Sequence, residues 1–189
     1  MEKIPTLFVR NPENMKLVTR EINPDAAWIL TSTAVPTVKK DGTNIRVDIL
    51  NEKCIGVEKR RNPTREEKAS GAEPGYVRAE RSDPSDKHIF AAVDATDFTG
   101  WQNGAWSCEA LGPKIQGGVE ASSPCLYPFS WGAQRITDTI PLTYDGIKAY
   151  LEMHPIEGIV WHEQDREKRM CKIKRRDFGL AWPLTSHKP

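Results

Sequence analysis

Ile45, Val47 and Ile49 alternate with Arg46 and Asp48. That is the period of a β-strand with one buried face. Just upstream, Asp41-Gly42 is a turn signal, because glycine permits backbone shapes that other residues resist. Lys39 stands two residues before Asp41, in the stretch Thr37-Val38-Lys39-Lys40. The pattern therefore places Lys39 at the lip of a sheet, just before a tight turn. A lysine held there among other cations loses its proton easily and is a candidate nucleophile. The plain alternative is a hairpin with a solvated lysine. Short K-x-D-G patterns arise often by chance, so this one does not decide between the two.

The neighbouring segments add context. Asn51-Glu52-Lys53 reads as a turn joining Val47–Leu50 to Cys54–Val57, and the second arm runs into Lys59-Arg60-Arg61. This hairpin is expected to bring the basic trio towards Lys39; the alternative is a solvated strand exit. From Asn62 to Lys87 the chain is polar and punctuated by Pro63, Gly71, Pro74, Gly75 and Pro84. Loops of that length are uncommon within domains, and a mobile flap with a short helix over Thr64–Ser70 is predicted. His88–Val93 is apolar and fits either a helix or a strand.

Ala105–Leu111 reads as a strand with Ser107, Glu109 and Leu111 on one face. A carboxylate in such a run is costly unless it is paired, near a metal or on a solvated edge. Ser122–Pro128 reads as a loop. Thr143 is a plausible N-cap for a helix over Tyr144–Met153, which His154-Pro155 would stop. Glu157–His162 and Met170–Lys174 read as paired strands around a charged turn over Glu163–Lys168. In the second strand Lys172 and Lys174 share one face, and Cys171 and Ile173 the other. Arg175-Arg176 extends the charge, with a solvated basic stripe as the alternative. Leu7–Val9 suggests a short strand, and Thr185–Pro189 a frayed tail.

The 189 residues fit one domain, or one with a small appendage. A 38% hydrophobic and 28% charged composition is that of a water-soluble fold. A net charge of only +1 means that any polyanion must be met by a local basic surface. No apolar run is long enough to span a bilayer, and Met1–Pro5 lacks the core of a signal peptide. Cys54, Cys108, Cys125 and Cys171 are scattered, which suggests reduced thiols in a cytoplasmic protein. His88, His154, His162 and His187 form no zinc pattern. Many short strands with one or two helices indicate an α+β fold of antiparallel sheets.

Taken in order, these segments resemble the covalent nucleotidyltransferase superfamily of polynucleotide ligases and capping enzymes. The match is nearest to the ATP-dependent RNA ligases of the RNA ligase 1 family. Lys39-Lys40-Asp41-Gly42 matches the nucleophile motif, followed by Thr43-Asn44 as in several RNA ligases. Lys59-Arg60 resembles the next motif, and Glu109-Ala110-Leu111-Gly112-Pro113-Lys114-Ile115-Gln116-Gly117 the third. Glu157-Gly158-Ile159-Val160 resembles the fourth, and Lys172-Ile173-Lys174 the fifth. Lys174–Leu180 with Trp182-Pro183 resembles the tail of that branch. One short motif is weak, whereas five in order are specific.

The resemblance implies a single adenylyltransferase domain, ATP-grasp-like, with antiparallel sheets, flanking helices and no appended oligonucleotide-binding domain. It implies that Lys39 forms lysyl-AMP from ATP, that AMP passes to an RNA 5′-phosphate, and that a 3′-hydroxyl then displaces AMP. Thr37, Val38, Asp41, Gly42, Arg60, Glu109, Lys172 and Lys174 would bind nucleotide and phosphate. Glu157, with Glu109, would hold magnesium or manganese, and Glu109 has ribose as its alternative ligand. ATP and RNA ends are the implied partners, and a cytoplasmic monomer is the implied state. The pattern departs from the family where Thr37-Val38 replace an acidic adenine contact. A DNA ligase, a capping guanylyltransferase, a non-catalytic binding module and a plain β-rich interaction domain stay open as alternatives.

Overall fold

The structure is a computed structural model that describes residues 4–129, 134–164 and 169–184. In order these form β1 (Phe8–Arg10), β2 (Val18–Ile22), a 3-10 helix (Pro24–Leu30), β3 (Ala34–Lys39), β4 (Thr43–Leu50) and β5 (Lys53–Arg61). There follow α1 (Arg65–Ala69), β6 (Gly75–Arg78), α2 (Lys87–Asp94), β7 (Gly104–Leu111) and β8 (Cys125–Pro128). The chain closes with α3 (Tyr144–Met153), β9 (Gly158–Glu163), β10 (Met170–Lys174) and a 3-10 turn over Arg175–Phe178. The fold is thus mixed α+β with antiparallel sheets and few helices. No described helix is long and apolar enough to cross a membrane. The chain divides into two units, one built on Asp41–Ala133 and the other on Glu2–Lys40 with Gln134–Pro189.

The first unit carries a five-stranded antiparallel sheet in the order β6-β5-β4-β7-β8. Ile45, Val47 and Ile49 fill one face of β4 and are buried with Cys108 and Ala110 of β7 and Ile89, Ala92 and Val93 of α2. The alternation of β4 is therefore the alternation of that core. Asn51 and Glu52 form its hairpin turn with φ of 50° and 59°. Two positive φ values at the centre of a two-residue loop match the right-handed twist of the strands it joins.

The second unit carries a three-stranded antiparallel sheet, β10-β9-β3, and the pair β1-β2. Ile159 and Trp161 of β9 and Cys171 and Ile173 of β10 are buried against Ile147 and Leu151 of α3. Thr143 caps α3 as expected, its hydroxyl accepting from the Gly146 amide at 3.1 Å. Burial pushes the Cys108 and Cys171 thiols up to about 12, so neither is a reactive thiolate.

Several expectations are corrected. β3 pairs with β9, not with β4 across Asp41-Gly42, so the solvated-hairpin alternative for Lys39 does not hold. The polar stretch after Asn62 holds the expected short helix, α1 capped by Thr64, but is not otherwise all flap, because Tyr76 lies in β6 opposite Arg60. Ser122–Pro128 is not all loop, because β8 pairs with β7. β7 is consequently an interior strand, and Glu109 is buried rather than on a solvated edge. Lys59 faces the core side, where it meets buried Asp86 at 2.5 Å, while Arg61 pairs with Glu67 at 2.6 Å. The charged turn over Glu163–Lys168 lies partly, at 165–168, outside the described residues, and Thr185–Pro189 lies wholly outside them.

Arg175 is not part of a solvated stripe. It is buried and donates to the carbonyls of Leu151, His154 (3.0 Å) and Ala181 (2.9 Å). The first two belong to the last turn of α3, where carbonyls lack helical partners. Arg175→Met should therefore lower unfolding stability by about 2–3 kcal/mol in urea titration, since it orphans buried acceptors. Glu163 is also buried, and the Arg169 guanidinium hydrogen-bonded to it holds its carboxyl at about 2, down from 4.5. A folded value below the unfolded one means the stabilisation is complete above about pH 4.5 and lost as pH falls toward 2. Glu163→Gln should flatten that limb of the stability-against-pH curve.

Candidate functional site

The candidate nucleophile lies in the second unit. β9 is the middle strand of its sheet, and both neighbours reach the same residue: Lys39 of β3 and Lys174 of β10 each stand opposite Gly158. Residues in register across antiparallel strands share a face. Val38, Ile159 and Ile173 are buried on the other face, which fixes the orientation. Lys39 and Lys174 thus project on the same side, across a position with no side chain. Two strand spacings put their Cα atoms about 10 Å apart.

Gly158 is required by close packing. A Cβ built on it would stand 2.2 Å from the Ile173 carbonyl oxygen and 2.9 Å from Lys174 Cα. Any other residue forces β9 and β10 apart. Glu157, immediately before β9, is 5% exposed, and its carboxylate pairs directly with the Lys39 ammonium. Lys39 Nζ also donates to the Lys40 carbonyl at 3.1 Å. The candidate nucleophile Lys39 and the carboxylate of Glu157 therefore meet as an ion pair at the sheet's end.

One row further along, Thr37, Val160 and Lys172 lie abreast on the same face. The Thr37 hydroxyl donates to the Val160 carbonyl at 3.0 Å and meets His162 Nε2 at 3.1 Å. Burial pushes His162 below its ordinary 6.5, so it is neutral at pH 7. Val38 points away from Lys39 into the interior, and its amide donates to the Gln134 carbonyl at 2.8 Å. That strand-like contact belongs to a short segment, 134–136, which adds to the outer edge of β3 and sets Arg135 opposite Thr37.

Asp41, Gly42, Arg60 and Glu109 belong to the first unit. There the Gly42 amide donates to Glu109 Oε1 at 3.2 Å, and the Asp41 amide to Glu120 Oε1 at 3.2 Å. A Cβ on Gly42 would meet the Ala110 carbonyl oxygen at 2.4 Å, so this glycine is also dictated by close approach. Glu109 stands opposite Asn44, and Arg60 opposite Tyr76. The Tyr76 hydroxyl closes the group by donating to Asn44 Oδ1 at 2.6 Å. Arg46, paired with Glu58, lies over the Tyr76 ring at 5.2 Å. The unit's sheet face away from its core is therefore polar and internally bonded.

Sequence reasoning missed His162, Arg135 and Tyr76. His162 was detectable, since the alternation of β9 that buries Ile159 and Trp161 leaves Gly158, Val160 and His162 on the other face. Arg135 had no strand-like neighbours to announce it.

Among the described residues, no group of three His, Cys, Asp or Glu is gathered as a metal cage. Magnesium rarely needs one, because one or two carboxylates with water and substrate phosphates complete its shell. A single buried carboxylate such as Glu157 suits that ion. Neither a scan against models of protein families nor a search of the curated proteins found a match to the chain.

Because Gly158 holds the Lys39 and Lys174 strands in register, Gly158→Ala should cost about 2 kcal/mol or more of stability through overpacking. Chemical denaturation measures it. A variant as stable as wild type would mean that the strands separate freely.

Proposed function

We propose that the chain is an ATP-dependent RNA ligase of the RNA ligase 1 family, with a nucleotidyltransferase fold. One observation carries this reading: Lys39, Glu157 and Lys174 converge around Gly158 on one end of one sheet. These residues come from three of the ordered motifs that define the resemblance, and Lys39 lies 118 positions before Glu157 in the chain. A chance match to K-x-D-G would carry no reason for that convergence.

The chemistry follows from the groups. Lys39 attacks with a lone pair, so its ammonium must first release a proton to solvent, which breaks the ion pair and leaves the Glu157 carboxylate ionised to hold a cation. The amine then bonds to the α-phosphorus of ATP while the bond to the bridging oxygen breaks, giving lysyl-AMP and pyrophosphate. Lys174 and Lys172, on the same face, would bind phosphate oxygens and offset the charge that grows on them. In the second transfer an RNA 5′-phosphate oxygen displaces Lys39, which leaves as the amine. In the third, a 3′-hydroxyl attacks that 5′-phosphate and AMP departs. A divalent cation held by Glu157 or Glu109 would draw charge from the phosphate oxygens. Asp41, Gly42 and Arg60 are assigned to nucleotide and phosphate binding by the resemblance.

Wild-type protein incubated with ATP and magnesium should gain the mass of one AMP, and Lys39→Ala should gain none. An AMP adduct on Lys39→Ala would displace Lys39 from its role. Labelling by GTP in place of ATP would favour a capping enzyme, and sealing of DNA ends a DNA ligase.

A further inference from the structure

The lysine face does not end at β3. The segment 134–136 bonds to the outer edge of that strand: the Val38 amide donates to the Gln134 carbonyl at 2.8 Å, and the Ile136 amide to the Pro36 carbonyl at 2.9 Å. This sets Arg135 in register with Thr37, and Thr37 in turn with Val160 and Lys172. The four lie abreast on one face, with a cation at each end and uncharged side chains between. Arg135 is exposed. Its neighbours on that face, Thr37 and Lys39, bring no carboxylate into its row.

We propose that Arg135 binds a backbone phosphate of the RNA strand; this rests on the ligase reading above. Lys39 and Lys174 bracket Gly158, a span that suits the reacting phosphate. Arg135 lies outside that bracket, one strand beyond Lys39 and one row along. The bracket accounts for one reacting phosphate, whereas a polynucleotide carries a further phosphate at every residue. Arginine at such a place meets phosphate with a fork of donors whose charge is permanent. Contacts of this kind position a strand without reading its sequence.

The test is binding of a short 5′-phosphorylated single-stranded RNA across a salt series, with wild type, Arg135→Ala and Arg135→Lys. Loss of one phosphate contact should weaken binding by Arg135→Ala about tenfold and reduce the slope of log affinity against log salt by about one. Arg135→Lys keeps the charge and should keep most of the slope. An Arg135→Ala slope equal to wild type would overturn the inference and leave the ligase reading standing. AMP uptake by the wild-type chain, measured alongside, tests that reading separately, and its absence would leave the salt slope to decide Arg135 alone.

Discussion

The close approach of β9 to β10 at Gly158 is the constraint on which the candidate site depends. A strand with any side chain there would keep its neighbour at a distance, and the register that sets Lys174 opposite it would be lost. With glycine, the two lysines stand on either side of an empty position, and the Glu157 carboxylate turns toward Lys39. The core beneath supports this from the other face, through Ile159, Ile173 and the α3 residues Ile147 and Leu151. Sheet alternation thus divides the side chains: one set keeps the strands aligned, and the other faces the candidate site.

Much of this could be read from the residues. The alternation of β4 and of β10, the Thr143 cap and the stop at His154-Pro155 are local signals, and local physics decides them. The partner of β3 was not local. Lys39 and Gly158 lie far apart in the chain, and no single-strand pattern names the strand that will pair. The four-residue β8 lacks the length and the alternation that would distinguish it from loop. Arg175 misled for another reason. Arginine beside lysine reads as surface charge, yet the exposed carbonyls at the end of a helix are one of the few environments that accept a buried guanidinium.

The candidate residues differ in how legible they were. Gly42 and Gly158 look like ordinary turn or strand glycines in the sequence, and only packing shows that backbone atoms of the next strand occupy the space of a side chain. Glu109 could be read as costly in an apolar run, and its burial between Asn44 and Tyr127 explains how that cost is met, through the Gly42 amide and its neighbours in the sheet. Lys59 and Arg60 are adjacent in sequence but belong to opposite faces, so a basic pair in the chain is not a basic pair in space.

The row through Thr37 and Lys172 is closed at both ends. Arg135 bridges to Thr37 on one flank, and Thr6 bridges to Lys172 on the other, with the Leu7 amide on the Lys172 carbonyl at 2.8 Å. A three-stranded sheet with bare margins would offer its backbone to strands of other molecules. Here the donors and acceptors of that row are already taken, so at this level the backbone is closed to a strand from another molecule.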